Sequence, residues 1–415
     1  MSIIRNKTWV SVQRFLAVVV VFFVLVAAAN TVRVVKDAQG REGPGSYYKL
    51  VKLIPAGTTL EILETKRSWH KVKYEKVEVW ISANSLAQDK KTGSRDIFES
   101  MPFQDVSAEA SPAILTAAIK GFWTRFSKTA GETYELPVEG YDIPAAVFET
   151  FSQDRAGAVG RENLIKKYKL KMADKKHSIP YKQEHSVGYT CASSAADAPL
   201  VTDMDLLRYI HSVGWYIAGG TERYDIRFNY YILDTDRVNA IACPGGYIVL
   251  TRGLLNLLND ESELAALLAH EMAHVIAGHG MLEVFEEETS IRAGSAFDAL
   301  NREVGGASEL EQELVAVSQR AVSIAKSPKL DKYEFEADEL ALCYMARSGY
   351  DLNGHVRLLA TLKAQHDRNV DIFDLNYRNH PDFGERTRRS EDTLKDYRGY
   401  TGKTFPESFR EHMVF

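Results

Sequence analysis

Apolar and polar positions divide the chain into a strand-rich beginning and a helix-rich remainder. Between residues 31 and 87, alternation with a period of two is clear in TLEILE (59–64) and HKVKYEKVEVWIS (70–82). Gly43-Pro44-Gly45 and Pro55-Ala56-Gly57 break the run, so about five short strands closed into a small barrel are predicted. A polar linker follows over 88–103, and the period then turns helical. Helices are predicted from Ser111, with Pro112 in the first turn, over 145–151, and over 203–218, where Leu206, Leu207, Ile210, Val213 and Ile217 share one face. The charged run 166–176 reads as a solvated face and the small, polar run 190–198 as a loop. Strand composition returns in 225–234 and 239–252, the second broken by Pro244-Gly245-Gly246. Helices over 333–349, 351–366 and 383–397 complete the pattern. The acidic, helix-prone stretch 281–328 between them is either a lid or a set of packed helices.

One helix carries the chemistry. Asp260 starts it, with Glu263 three residues later in a capping box, and Gly278 ends it. Inside it His270 and His274 stand four apart, so both imidazoles lie on one face, about one turn from each other. Such a pair can hold one tetrahedral Zn²⁺, with Glu271 beside the water that the ion activates. A catalytic zinc takes a third protein ligand. A histidine ten residues after His270 is ruled out, because position 280 is Gly. His279 lies off the shared face and reads as a helix-end residue. The remaining source is a glutamate on the downstream helix YEFEADELALCYMARSG (333–349). Glu334 and Asp338, four apart, share a face there: Glu334 can bind the metal while Asp338 fixes the tautomer of a ligand imidazole. Glu336 points elsewhere and is the competing assignment. Pro244-Gly245-Gly246 breaks its strand close to this helix, and an extended substrate can pair with a sheet edge there, Gly246 allowing close approach.

The ends, charge and cysteines narrow the picture. Arg5, Lys7 and Arg14 precede fifteen uncharged apolar residues, Phe15 to Ala29. That is short for a span of ~20 residues but suits a signal-peptide core, with cleavage before Asn30. An uncleaved anchor is the rival, and would make residues 15–29 the chain's only membrane contact. Either way the bulk of the chain is expected outside the cytoplasm, most simply in a periplasm. A net charge of −5 gives no reason to expect nucleic acid. Cys191, Cys243 and Cys343 include no CxxC pair, so neither a disulfide scaffold nor a cysteine zinc site is expected, and at least one thiol must stay unpaired within the monomer.

Two resemblances follow. REGPGSYYKLV, Trp69 with KVKY, and VWISANSL resemble bacterial SH3-like domains, which implies a unit that tethers an enzyme to cell-wall peptide or to a protein. The plainer reading is a spacer with Trp69 and Trp80 in its core. NAIACPGGYIVLTRGLL, HEMAH, EFEAD and HPDFGER, in that order, resemble the M48 family of zinc metallopeptidases, in its branch without multiple membrane spans. The resemblance implies a mainly α, α+β zincin-like (gluzincin) domain holding one Zn²⁺ on His270, His274 and Glu334, with Glu271 as catalytic base. It further implies roles for His380, as oxyanion donor or as a ligand keeping the enzyme latent, and for Arg386. Asn239, Pro244, Gly245 and Gly246 become the substrate edge. Cys243 departs from the apolar residue usual before Pro-Gly-Gly. The domains expected are a signal peptide or anchor (1–29), an SH3-like domain (30–92), a linker and helical region (93–199), the peptidase domain (200–395) and a tail (396–415). The function expected is endopeptide hydrolysis of unfolded or misassembled envelope proteins. The rival readings are a non-catalytic zinc-containing envelope chaperone and a cell-wall peptide hydrolase.

Overall fold

The period-two stretch forms six strands: β1 (Thr31–Arg33), β2 (Ala38–Arg41), β3 (Leu50–Ile54), β4 (Thr59–Lys66), β5 (Trp69–Tyr74) and β6 (Val77–Ser82). They are ordered β1-β4-β5-β6-β2-β3, each pairing antiparallel. The inward positions Val34, Ala38, Ile54, Leu60, Val72, Val79 and Ile81 make one core, and Trp69 and Trp80 are also buried. The structure, a computed structural model, describes residues 31–86, 134–159, 161–168, 181–280, 323, 330–374 and 382–414. The chain divides into one unit of residues 1–44 with 49–92 and a second of 45–48 with 93–415. The apolar run 15–29, the helix expected from Ser111, the stretch 281–328 apart from position 323, and His380 lie outside the described residues. Among those described, no helix is long and apolar enough to cross a membrane.

The second unit is mainly helical. Among the described residues its helices are α1 (Ala145–Val159), α2 (Arg161–Lys167), α3 (Tyr181–Ala195), α4 (Met204–Ala218), α5 (Arg252–Leu255), α6 (Glu261–Ala277), α7 (Asp331–Ser348), α8 (Asn353–Arg368), α9 (Phe383–Leu394) and α10 (Pro406–His412). Three strands, β7 (Asn229–Leu233), β8 (Ala240–Cys243) and β9 (Tyr247–Thr251), form a sheet in the order β7-β9-β8, with β7 parallel and β8 antiparallel to β9. Every residue of α6 is buried, as befits a helix apolar around most of its circumference. Asp260 caps it by accepting from the N–H groups of Ser262 and Glu263. Glu263 reaches back to the N–H of Asn259, one residue before the expected capping-box partner.

Two sequence expectations change. Residues 190–195, expected as a loop, are the last turns of α3, and Thr190, Ala192 and Ser193 are fully buried. Helix α3 lies directly on the Pro244–Gly246 turn: a Cβ on Gly188, just before this segment, would come within 1.8 Å of the Pro244 carbonyl oxygen. Low side-chain bulk signals close helix packing here, not chain exposure. A disulfide between Cys191 and Cys243 ties α3 to the end of β8, leaving Cys343 as the buried free thiol. The C-terminal residues, expected as a tail, pack into the domain. Tyr400 donates to the Tyr350 carbonyl, His412 stacks on Tyr209 and Phe409 is buried.

A buried ion pair locks the first turn of α6. The Glu261 carboxylate, with no exposure, accepts two hydrogen bonds from Arg155 of α1 (2.8 and 2.7 Å) and one each from the Tyr209 and Tyr350 hydroxyls (both 2.8 Å). Arg155 also reaches Ser408 of α10. Removing the arginine strands a carboxylate in the core. Arg155→Ala should therefore lower stability to urea by on the order of 3–5 kcal/mol, and a loss below about 1 kcal/mol would show that Glu261 needs no counter-ion.

Candidate metal centre

Helix periodicity places His270 and His274 on one face of α6, and α7 packs across that face. The two Nε2 atoms are 3.2 Å apart. Glu334 enters from the first turn of α7, one oxygen 3.3 Å from His270 Nε2 and the other 3.2 Å from His274 Nε2. Among the described residues this is the group of His, Cys, Asp and Glu side chains placed to hold a metal ion, and all three are buried. The spacing tests the fit. Ligands on a tetrahedral ion at ~2.0–2.2 Å stand roughly 3.3–3.5 Å apart, close to the separations here. Two nitrogens and one carboxylate are also donors suited to a borderline metal.

Around this triangle the supports are charged. Asp338, one turn beyond Glu334, lies 3.0 Å from His270 Nδ1. Arg386 of α9 donates to both Asp338 oxygens (2.9 and 2.7 Å) and stands 3.1 Å from Glu334 Oε2. His355 of α8 adds a contact to Asp338 at 3.2 Å. Burial works against a charged Asp338, but the Arg386 guanidinium and the hydrogen bonds from Arg386, His270 and His355 hold its carboxyl well below the usual range. Burial and Arg386 likewise disfavour a charged His270. Its hydrogen bonds to Asp338 and Glu334 outweigh them and push it up to about 9. His274 goes the other way, held neutral chiefly by burial. Glu271, 5% exposed, follows His270 on α6. Counted formally, Glu334 and Asp338 face one guanidinium, which leaves a negative charge that a cation among the donors offsets.

The other predicted positions fare differently. Asn239 donates its side-chain amide to Asp374 (2.8 Å), and its backbone is tied to Thr251. Pro244, Gly245 and Gly246 are buried, and the close approach the glycines permit is to the chain itself. A Cβ on Gly245 would meet the Glu184 carbonyl, and one on Gly246 would meet Ile226 and the Arg227 carbonyl.

The sequence gives no sign of one residue at the site and hides the contacts of two others. His355 carries no local signal, because it reaches Asp338 only through the packing of α8. His279 is not a mere helix end: it lies 2.9 Å from His274, Nδ1 to Nδ1, and 3.3 Å from Glu336. Glu336 thus points away from the triangle, as its helical position predicts, yet toward a group that touches a ligand.

Comparison with known proteins agrees with this class of site. Residues 208–393 match the family model Peptidase family M48, a metal-dependent family, and residues 41–87 match Bacterial SH3 domain. The chain therefore carries an M48 peptidase domain and a bacterial SH3 domain. It is 29% identical over 191 residues to a beta-barrel assembly-enhancing protease of Yersinia pestis, covering 44% of this chain and 38% of that protein. The protein of the same description from Escherichia coli K12 is 28% identical over 176 residues, 41% of this chain and 35% of its own. Metalloprotease YcaL of E. coli K12 is 30% identical over 168 residues, 40% of this chain and 62% of its own. The chain thus spans little more than a third of the length of the first two relatives.

A pH dependence follows from His270. Its pKa is raised above the ordinary 6.5, so the contribution to stability is complete below about 6.5 and lost as pH rises through about 9 in metal-free protein. An ion on Nε2 must displace that proton. Binding of a divalent metal at pH 7 should release roughly one proton per ion, fewer as pH approaches 9. Calorimetry in two buffers of unlike ionisation heat measures it, and identical heats at pH 7 would refute the assignment.

Proposed function

We propose that this protein is a zinc-dependent endopeptidase acting outside the cytoplasm, in quality control or processing of envelope proteins. The observation that carries this is the convergence of His270, His274 and Glu334 at separations of 3.2–3.3 Å. In this reading the three residues hold one zinc, which when bound supplies Lewis-acid polarisation of water and of a carbonyl. Glu271 takes the proton of the attacking water and delivers it to the leaving amine. Asp338 keeps His270 in the tautomer whose Nε2 is free for the ion, and Arg386 holds Asp338. His380 is assigned either as donor to the developing oxyanion or as the residue that keeps the enzyme latent.

Substrate is assigned to the edge of β8. That strand is terminal in its sheet and packs beside α6, and an extended peptide can add to such an edge through its backbone. The Pro244–Gly246 turn then acts by closing the strand against α3. Unfolded or misassembled envelope proteins are the substrates that the relatives described as beta-barrel assembly-enhancing proteases suggest. The Cys191–Cys243 bond supports an oxidising compartment. The SH3 domain, in this reading, binds cell-wall peptide or a protein partner and positions the peptidase.

Glu271→Gln should retain one zinc per chain while casein hydrolysis falls by ~10²–10⁴-fold. Hydrolysis at the wild-type rate by that variant would remove Glu271 from the base role, and wild-type protein loaded with zinc yet inert on any unfolded protein would overturn the enzymatic reading.

A further inference from the structure

Helix α6 stops at Gly278, whose left-handed backbone (φ 72°, ψ 24°) is open to glycine with little strain. That turn redirects the chain so that His279 folds back against the helix it has just left. The imidazole is completely buried and stacked on Tyr333 of α7, with ring centroids 4.5 Å apart. Its Nδ1 lies 2.9 Å from Nδ1 of His274, and its Nε2 lies 3.3 Å from a Glu336 oxygen.

We propose that His279 and Glu336 are a positioning pair that holds His274 in the tautomer able to bind the metal ion. The inference rests on the metal centre proposed above. Two imidazole nitrogens at 2.9 Å attract only if one carries the proton. With His274 Nε2 facing the ion, its proton sits on Nδ1 and is donated to His279 Nδ1. His279 then carries its own proton on Nε2, directed at the Glu336 carboxylate. Every link has one donor and one acceptor, so the chain is satisfied in a single arrangement.

The pair also explains why the two ligands are supported unequally. His270 is held directly by a buried carboxylate, Asp338, whose charge Arg386 offsets. A second buried carboxylate on His274 would need a second buried cation, because an isolated charge in the core is strongly disfavoured. The interposed imidazole carries the hydrogen bond outward instead. Glu336 ends where its side chain is 37% exposed, so water can solvate its charge.

The test uses the full chain and zinc competition against a chelator of known affinity. His279→Ala should weaken zinc binding by ~10–100-fold, and His279→Asn, whose side-chain oxygen replaces the accepting Nδ1, should recover much of that loss. Glu336→Ala, a surface truncation that leaves the core intact, should weaken binding in the same direction by a smaller factor. In the zinc-loaded protein, the ¹H resonance of the His274 Nδ1 proton should lie downfield in wild type and move upfield in His279→Ala, a readout that a merely structural role would not move. Unchanged zinc affinity in Glu336→Ala, or a His274 Nδ1 proton resonance unmoved by His279→Ala, overturns the pair and leaves the metal centre standing. Wild-type protein that binds no zinc, or His270→Ala that binds it as tightly as wild type, overturns the metal centre itself.

Discussion

Two imidazole nitrogens and a carboxylate, all within 3.3 Å of one another in a buried site, present lone pairs toward a common point. Such an arrangement is stable only if positive charge lies among them, as a proton or as a metal ion. The surrounding groups are disposed to that end. Arg386 spans Glu334 and Asp338, and without an ion the proton on His270 completes the compensation. A divalent cation does the same with the spacing already set, so the protein need not rearrange to bind it. Such preorganisation is what binding an ion without rearrangement requires of a protein.

The fold keeps these groups from drifting apart. Helix α6 is buried along its whole length, and its first turn is fixed by Glu261 with Arg155, Tyr209 and Tyr350. Helix α7 supplies Glu334, Glu336 and Asp338 from little more than one turn. The first belongs to the donor triangle, and the others stand behind His274 and His270. Arg386 and His355 arrive on α9 and α8, both of which pack together. Four helices thus share one electrostatic centre, and displacing α9 would leave the buried carboxylates of Glu334 and Asp338 without their guanidinium. The small sheet flanks α6, and the Cys191–Cys243 bond holds α3 against the turn that follows β8.

Much of this was legible in the chain, because helical spacing is a local property. His270 and His274 at i and i+4, and Glu334 and Asp338 at i and i+4, must share faces wherever their helices lie. Asp260 and Gly278 mark the ends of α6 through capping chemistry that depends on neighbours only. The alternating strands of the first unit follow from the same kind of local rule, with six strands observed where about five were expected.

Other features depend on which surfaces meet. The small, polar segment 190–195 reads as a loop until α3 is seen lying on the Pro244–Gly246 turn, which buries it. Three cysteines with no local pairing motif gave no hint that Cys191 and Cys243, 52 residues apart, would be joined. His279 sits off the ligand face by helical geometry and reaches His274 only because the helix has already ended. His355 finds Asp338 only through the packing of α8. Local sequence thus determined which residues could bind a metal and where their helices begin and end. Tertiary packing decided what stands behind each ligand, because those partners come from separate elements, and their spacing along the chain carries no trace of the contact.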